Sequence, residues 1–279
     1  MRRLRQICAA AAFALASPYT FAQAPLCLRA PSDAPISLHG MANFDQAGGG
    51  AQTMLYPMPG LAAAVAALAT HAAINGVVRN SETERLRVQA DAMLQPFQAT
   101  LASYKQHELV KASLAQLKAS GGKRAAPAGA SAQPGETLVD SMPAFYMTPD
   151  QRALILDNAI AVLPHGATRP DERVIRVISP VQASDTNAAV WFAHDAALLR
   201  RISAQLLAQS IEIALNDLPA VASTGPFRTV RYPEGSVERM ERAQVIGERC
   251  GQLVLRTLRG NLMAVPGPDD SACVPLAPQ

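Results

Sequence analysis

The side chains best suited to proton chemistry near neutral pH are the five histidines, His39, His71, His107, His165 and His194. No two have the i, i+4 spacing that puts two imidazoles on one helix face for a metal, and neither HExxH nor CxxC occurs. His107 lies in a polar helical stretch and reads as solvated. His165 sits in a Pro/Gly turn, and His194 adjoins Asp195, which reads as a helix cap. His71 and Asn75 are four apart and share a face if their segment is helical, which makes a possible polar stripe.

Nucleophiles are no better marked. There is no GxSxG elbow, and Ser141 precedes Met142-Pro143 with no local group to activate it. Asp150, Asp157, Asp171 and Glu172 stand near strand ends or turns. Paired acids can hydrolyse glycosides, but these four read as solvated turn residues. Gly48-Gly49-Gly50 lacks the Lys-Ser/Thr of a phosphate loop and reads as a bend. Trp191-Phe192 is the strongest aromatic pair and is the candidate lip of a pocket, with a core plug as the plainer role. These residue types assign no catalytic residue, no cofactor and no metal.

The N-terminus carries an address. Arg2, Arg3 and Arg5 precede a short apolar run, and Ala22-Gln23-Ala24 is a small-x-small cleavage site, so residues 1–24 read as a secretory signal peptide. Pro25 and Leu26 before Cys27 do not suit a lipid-anchor motif. Of the 25 Lys+Arg, three fall in this leader, so the remaining chain balances its 22 Asp+Glu. That balance leaves no basic field for nucleic acid. Export into an oxidising compartment predicts one disulfide among Cys27, Cys250 and Cys273. Cys250–Cys273 is preferred, with Cys27–Cys273 as the alternative.

Residues 25–59 are rich in Pro, Gly and Ser and read as extended, with short pieces such as ISLHGMANF lying against other elements. Residues 60–118 read as helical. Within them Leu61–Val78 is Ala-rich and uncharged. His71, Asn75 and the weak insertion of Ala favour a helix packed in a soluble domain over a membrane anchor at 60–78. Ser81-Glu82-Thr83-Glu84 has the form of a capping box, and Pro96 is expected to kink the helix that follows. Residues 119–136 read as a flexible linker.

Residues 137–265 change texture. ETLVDSMPAFYMT, RALILDNAIAVL and ERVIRVIS read as strands, with a hairpin at Thr148–Gln151 preferred to a helix start. A helix from Asp195 to about Asp217 carries the stripe Leu198, Leu199, Ile202, Leu206, Ile213. FRTVRY and VERMERAQVI flank the turn PEGS, QLVLRTL and NLMAV complete a meander, and residues 266–279 form a loose tail. The expected class is α+β: N-terminal Ala-rich helices, then a largely antiparallel sheet with one long packed helix.

The functional expectation is an exported, periplasmic, non-catalytic envelope protein that binds a protein or lipid partner, with self-association through the Ala-rich helix. An exported hydrolase, in which His71, His165 or His194 meets a serine or carboxylate, is one alternative. A membrane protein anchored by residues 60–78 is the other.

Overall fold

The computed structural model describes residues 24–30, 33–42, 77–118, 121–217, 225–249 and 251–267. The leader, most of the Ala-rich run with His71 and Asn75, and both Cys250 and Cys273 lie outside the described residues. Among the described residues no helix is long and apolar enough to cross a membrane.

The protein is mixed α+β, built on a ten-stranded, mostly antiparallel sheet. In chain order the strands are β1 (Leu26–Ala30), β2 (Ser37–Gly40), β3 (Lys123–Pro127), β4 (Thr137–Met147), β5 (Leu154–Leu163), β6 (Asp171–Ile178), β7 (Arg228–Glu234), β8 (Val237–Arg249), β9 (Gln252–Thr257) and β10 (Leu262–Pro266). Their spatial order is β3-β1-β4-β5-β6-β10-β9-β8-β7, and β2 pairs with the C-terminal half of β4. β1 runs parallel to β3 and β4, β2 parallel to β4, and β10 parallel to β6; the other pairs are antiparallel. The helices are α1 (Val77–Asp91), α2 (Gln98–Ser103), α3 (Gln106–Gln116) and α4 (Ala188–Asp217), with a 3₁₀ segment, Ala92–Phe97, after α1.

The strands form where the residue pattern demands them. β5 is buried along nearly its whole length, as a central strand that is apolar apart from Asp157 and Asn158 is when both its faces are covered. Leu154, Leu156 and Ile160 face one side and pack with Phe145, Val177, Leu262 and the buried stripe Leu199, Ile202, Leu206, Ile213 of α4. This core also takes Leu28 and Leu38 from the N-terminal strands and Leu94, Tyr104 and Leu109 from the helices, so one core spans the sequence on both sides of 119–136.

On the other side the sheet covers itself. β7 comes back over β10. Ile155, Ile178, Val265 and Leu255 then meet Val230 and Tyr232 in a second core. The roll is latched at its tip. Asp150, in the β4–β5 turn, accepts the Ser236 amide of the β7–β8 turn at 2.5 Å and the Thr148 hydroxyl at 2.6 Å. Gly235 has a φ of 63°, and a Cβ there would overlap the Asp150 carboxylate, so only glycine fits. Burial opposes ionisation of Asp150, but the bonds from Thr148, Arg152 and Ser236 outweigh it and hold the carboxyl below its usual range. A depressed carboxylate contributes stability above its unfolded pKa and loses it as pH falls through the folded value. Asp150→Asn is therefore expected to be less stable than the native chain at pH 6, with the gap closing towards pH 2, as read by urea unfolding at both.

Several expectations need correction. Part of the 119–136 stretch is strand β3, not flexible linker. The exposed backbone edge of β1 recruits it in register from Leu26↔Lys123, and Arg124 pairs with the buried Glu136 through two 2.7 Å bonds. Ser81 lies inside α1, which begins by Val77, so the Ser81–Glu84 motif does not mark the helix start. Pro96 does interrupt the helical run, as a 3₁₀ turn. The run α4 joins two helices across a kink at residues 193–196; the longer one begins just after Asp195, close to the expected start, but Asp195 itself is left-handed and stands before its first turn. His194, Asp195 and Ala196 take left-handed backbone angles inside it, a conformation that costs non-glycine residues about 1–2 kcal/mol each. Arg200 Nε ties this break by donating to the Asp195 carbonyl at 2.9 Å.

Candidate functional site

His39 comes together with two residues that the sequence did not single out, Ser37 and Asp91. Ser37 and His39 are two apart on β2, so both project to one face, away from Leu38, which enters the main core. The Ser37 Oγ lies 3.0 Å from His39 Nε2. On the other side of the ring, Nδ1 lies 3.5 Å from Asp91 Oδ2. Asp91 is the last residue of α1, and its second oxygen accepts the Gly40 amide at 2.7 Å. With the imidazole proton on Nδ1, the hydroxyl donates to Nε2, and the carboxylate lies 3.5 Å from Nδ1, near enough to act on the ring's charge. That is the order hydroxyl, imidazole, carboxylate of a nucleophile, its base and the group that orients the base.

Gly40 makes the approach possible. A Cβ at this position would overlap the Ala90 carbonyl, so a side chain here would push the end of α1, and with it Asp91, off the strand. The imidazole is about half exposed, at 49% of its side-chain surface, and is open to a solute. His39 stands opposite Tyr146 in the β2–β4 register, with ring centroids 6.0 Å apart and tilted by 36°. Burial, reinforced by the Asp157 carboxylate, pushes the Tyr146 phenol up to about 12, so it stays protonated beside the imidazole.

Behind Tyr146 the same sheet face carries a buried charge pair. Asp157 and Arg176 face each other across β5 and β6, joined at 2.7 Å and 2.6 Å through Nε and Nη2. Burial works against the guanidinium, and the facing carboxylate outweighs it, so Arg176 is held charged. Glu234, also buried, pairs with Arg239 at 3.0 Å.

The other candidate residues disperse. His107 is exposed, 3.8 Å from Asp33. His165 Nδ1 accepts the Gly135 amide at 3.2 Å in a surface turn. His194 sits in the break of α4, beside an open depression lined by Val190, Ala197, Leu198 and Arg201. Ser141 donates to Asn158, which reaches Ser210 on α4: a buried structural chain, not an activated hydroxyl. Asp171 forms an exposed pair with Arg173, as a solvated turn acid should, but Asp157 is buried and ion-paired, against expectation. Cys27 is buried with a free thiol that burial pushes up, which disfavours the reactive thiolate. Trp191 and Phe192 are core plugs, not a lip: Trp191 is 0% exposed, and Phe192 stacks on Phe97 at 4.3 Å. Among the described residues no three His, Cys, Asp or Glu side chains gather as a metal site.

Two of the three members of the Ser37–His39–Asp91 group are legible in the sequence. Ser-x-His on a strand puts two side chains on one face, a signal the residues 36–40 do contain. Asp91 reaches them only through the packing of α1 against the glycine. Comparison of the chain with protein-family models, curated proteins and solved structures returns no match.

Proposed function

We propose that this protein is an exported hydrolase in which His39 acts as a general base oriented by Asp91. The observation that carries the reading is the placing of the Ser37 hydroxyl and the Asp91 carboxylate on opposite sides of a half-exposed His39 ring, 3.0 Å and 3.5 Å from its two nitrogens. The longer second distance suits a site without substrate, where such contacts tighten on binding. The signal-like residues 1–24 support export to the periplasm. General-base catalysis supplies about 10²–10⁴-fold in rate. Turnover of p-nitrophenyl acetate by the purified chain is therefore expected to fall at least about 100-fold in His39→Ala, and less in Asp91→Asn. A native rate equal to that of buffer, or an unchanged rate in His39→Ala, overturns the reading.

A second reading, a non-catalytic envelope protein that binds a protein or lipid partner, is favoured by the open, apolar-lined depression on α4, where Val190 remains 43% exposed. It is the reading left standing if no ester is turned over and the depression proves to hold a partner.

A further inference from the structure

We propose that Ser37 is a covalent nucleophile and that the site hydrolyses carboxylic esters through an acyl-Ser37 intermediate. This deepens the hydrolase reading and rests on it, because a general base at His39 could act on water alone.

The geometry favours the serine over water. The Ser37 Oγ already occupies the position in front of Nε2 from which a proton can be taken, at 3.0 Å. A water would have to displace it and be held there, whereas the hydroxyl is fixed by a strand two residues from the base, so no further ordering is needed. The strand is anchored on both sides of the pair. β2 runs in register with β4 from Ser37↔Ala144 to Gly40↔Met147, the Ile36 amide donates to the Tyr104 carbonyl at 3.0 Å, and the Gly40 amide donates to Asp91. Nucleophile and base therefore hang from one short strand, and the Gly40 amide of that strand ties the carboxylate at the end of α1 to it.

The step balances as acyl transfer. Oγ attacks the ester carbonyl carbon as its proton passes to Nε2. The tetrahedral adduct collapses, the bond to the alkoxy oxygen breaks, and the imidazolium returns the proton to the departing alcohol. Water then attacks the acyl carbon, giving its proton to Nε2. The Ser37–acyl bond breaks, the carboxylic acid leaves, and Oγ regains its proton. Asp91 stabilises the imidazolium in both halves without taking the proton.

The substrate class follows from what surrounds Oγ. The Gly40 amide is engaged by Asp91 and is not free to hold an oxyanion. With that amide engaged, the alcohols of esters, which leave readily, suit the site better than the amines of amides. The exposed edge also suits an acyl group that stays in solvent rather than one swallowed by a cavity.

The test uses the mature chain with a fluorophosphonate probe and with p-nitrophenyl trimethylacetate, whose acyl-enzyme turns over slowly. The expected result is one probe adduct on the peptide containing Ser37 and a burst of about one p-nitrophenolate per chain. Both should be lost in Ser37→Ala, and labelling should be slowed at least about 100-fold in His39→Ala. Circular dichroism of Ser37→Ala should match the native spectrum, since the side chain is half-exposed at a strand edge. Ester hydrolysis that survives in Ser37→Ala, with no burst in the native chain, overturns the covalent inference and leaves His39 as base for water. An adduct on another residue overturns it too. A native chain that neither labels nor hydrolyses overturns both readings together.

Discussion

Asp157→Ala lowers the unfolding free energy by about 3–5 kcal/mol, the cost of stranding a buried guanidinium without its partner. Asp157 is 2% exposed and meets Arg176 through two charge-assisted bonds at 2.7 Å and 2.6 Å. Arg176 keeps only 15% of its side-chain surface for water to reach, and the neighbouring Glu234 carboxylate offsets only part of the loss. Burial and the neighbouring Glu234 carboxylate push the Tyr232 phenol up to about 12, so it stays neutral. Arg176→Met leaves the mirror problem, a buried carboxylate, and is expected to cost about as much. The pair itself is a different matter. Asp157→Leu combined with Arg176→Met replaces two desolvated charges by apolar groups, a change that is often neutral or stabilising. The double variant should therefore recover most of what either single change loses. Urea unfolding of the native, single and double variants at pH 7 reads this out. Single variants within about 1 kcal/mol of native would falsify the claim that the pair is sealed from solvent.

The same pair shows why parts of this fold were legible and others were not. The strands of residues 137–265 announce themselves because each is an apolar run bounded by turn residues; the β7–β8 hairpin around PEGS and the hairpin at Thr148–Gln151 both stand as expected. Within β5, however, Asp157 reads as a solvated acid near a strand end, and its neighbour Asn158 carries no signal of burial. They are mid-strand residues on opposite faces, each supplied with a partner from a distant element: Arg176 on β6 for one, Ser141 and Ser210 for the other. A buried polar residue can be told from a solvated one only when its partner is known, and partners are a tertiary property. β3 was hidden for a related reason. KRAAP has no strand pattern of its own, and it is extended because β1 offers it a free edge and Glu136 holds its arginine.

The candidate site divides in the same way. Ser37 and His39 share a face by strand periodicity alone, which their own residues specify. Asp91 enters through a helix end that the glycine at position 40 admits, and no spacing rule connects the two segments. The break in α4 carries neither Gly nor Pro to announce it, and its left-handed residues are set by packing: Ala196 is fully buried there, and Arg200 ties Asp195 while also reaching Glu108 at 2.7 Å. Export, the Cys250–Cys273 bridge and the His71–Asn75 stripe rest on residues outside those described, so they stand as the sequence alone presents them.

Trp191→Ala is expected to cost about 3–5 kcal/mol, the range for emptying a buried indole site. The reason goes beyond volume. Trp191 Nε1 donates to the Gln151 carbonyl at 2.7 Å, and the Gln151 side chain in turn accepts the Ala188 amide at 2.6 Å, so the start of α4 and the β4–β5 turn hold each other. Gln151 has a φ of 60°, a strained turn position that these two bonds keep in place. Asp150, one residue earlier, latches the β7–β8 turn. Losing the indole should therefore loosen both the helix contact and the closure of the roll. Trp191→Phe separates the two contributions. It keeps most of the apolar surface but leaves the Gln151 carbonyl unpaired, a loss of about 1–3 kcal/mol. If thermal unfolding places the Phe variant as low as the Ala variant, the hydrogen bond to the turn dominates. If the Phe variant matches the native chain, the turn is held by other contacts, and the indole contributes through packing alone. The expected result lies between, with Asp150→Asn less damaging in the Trp191→Ala background than alone, because the latch it removes is already slack.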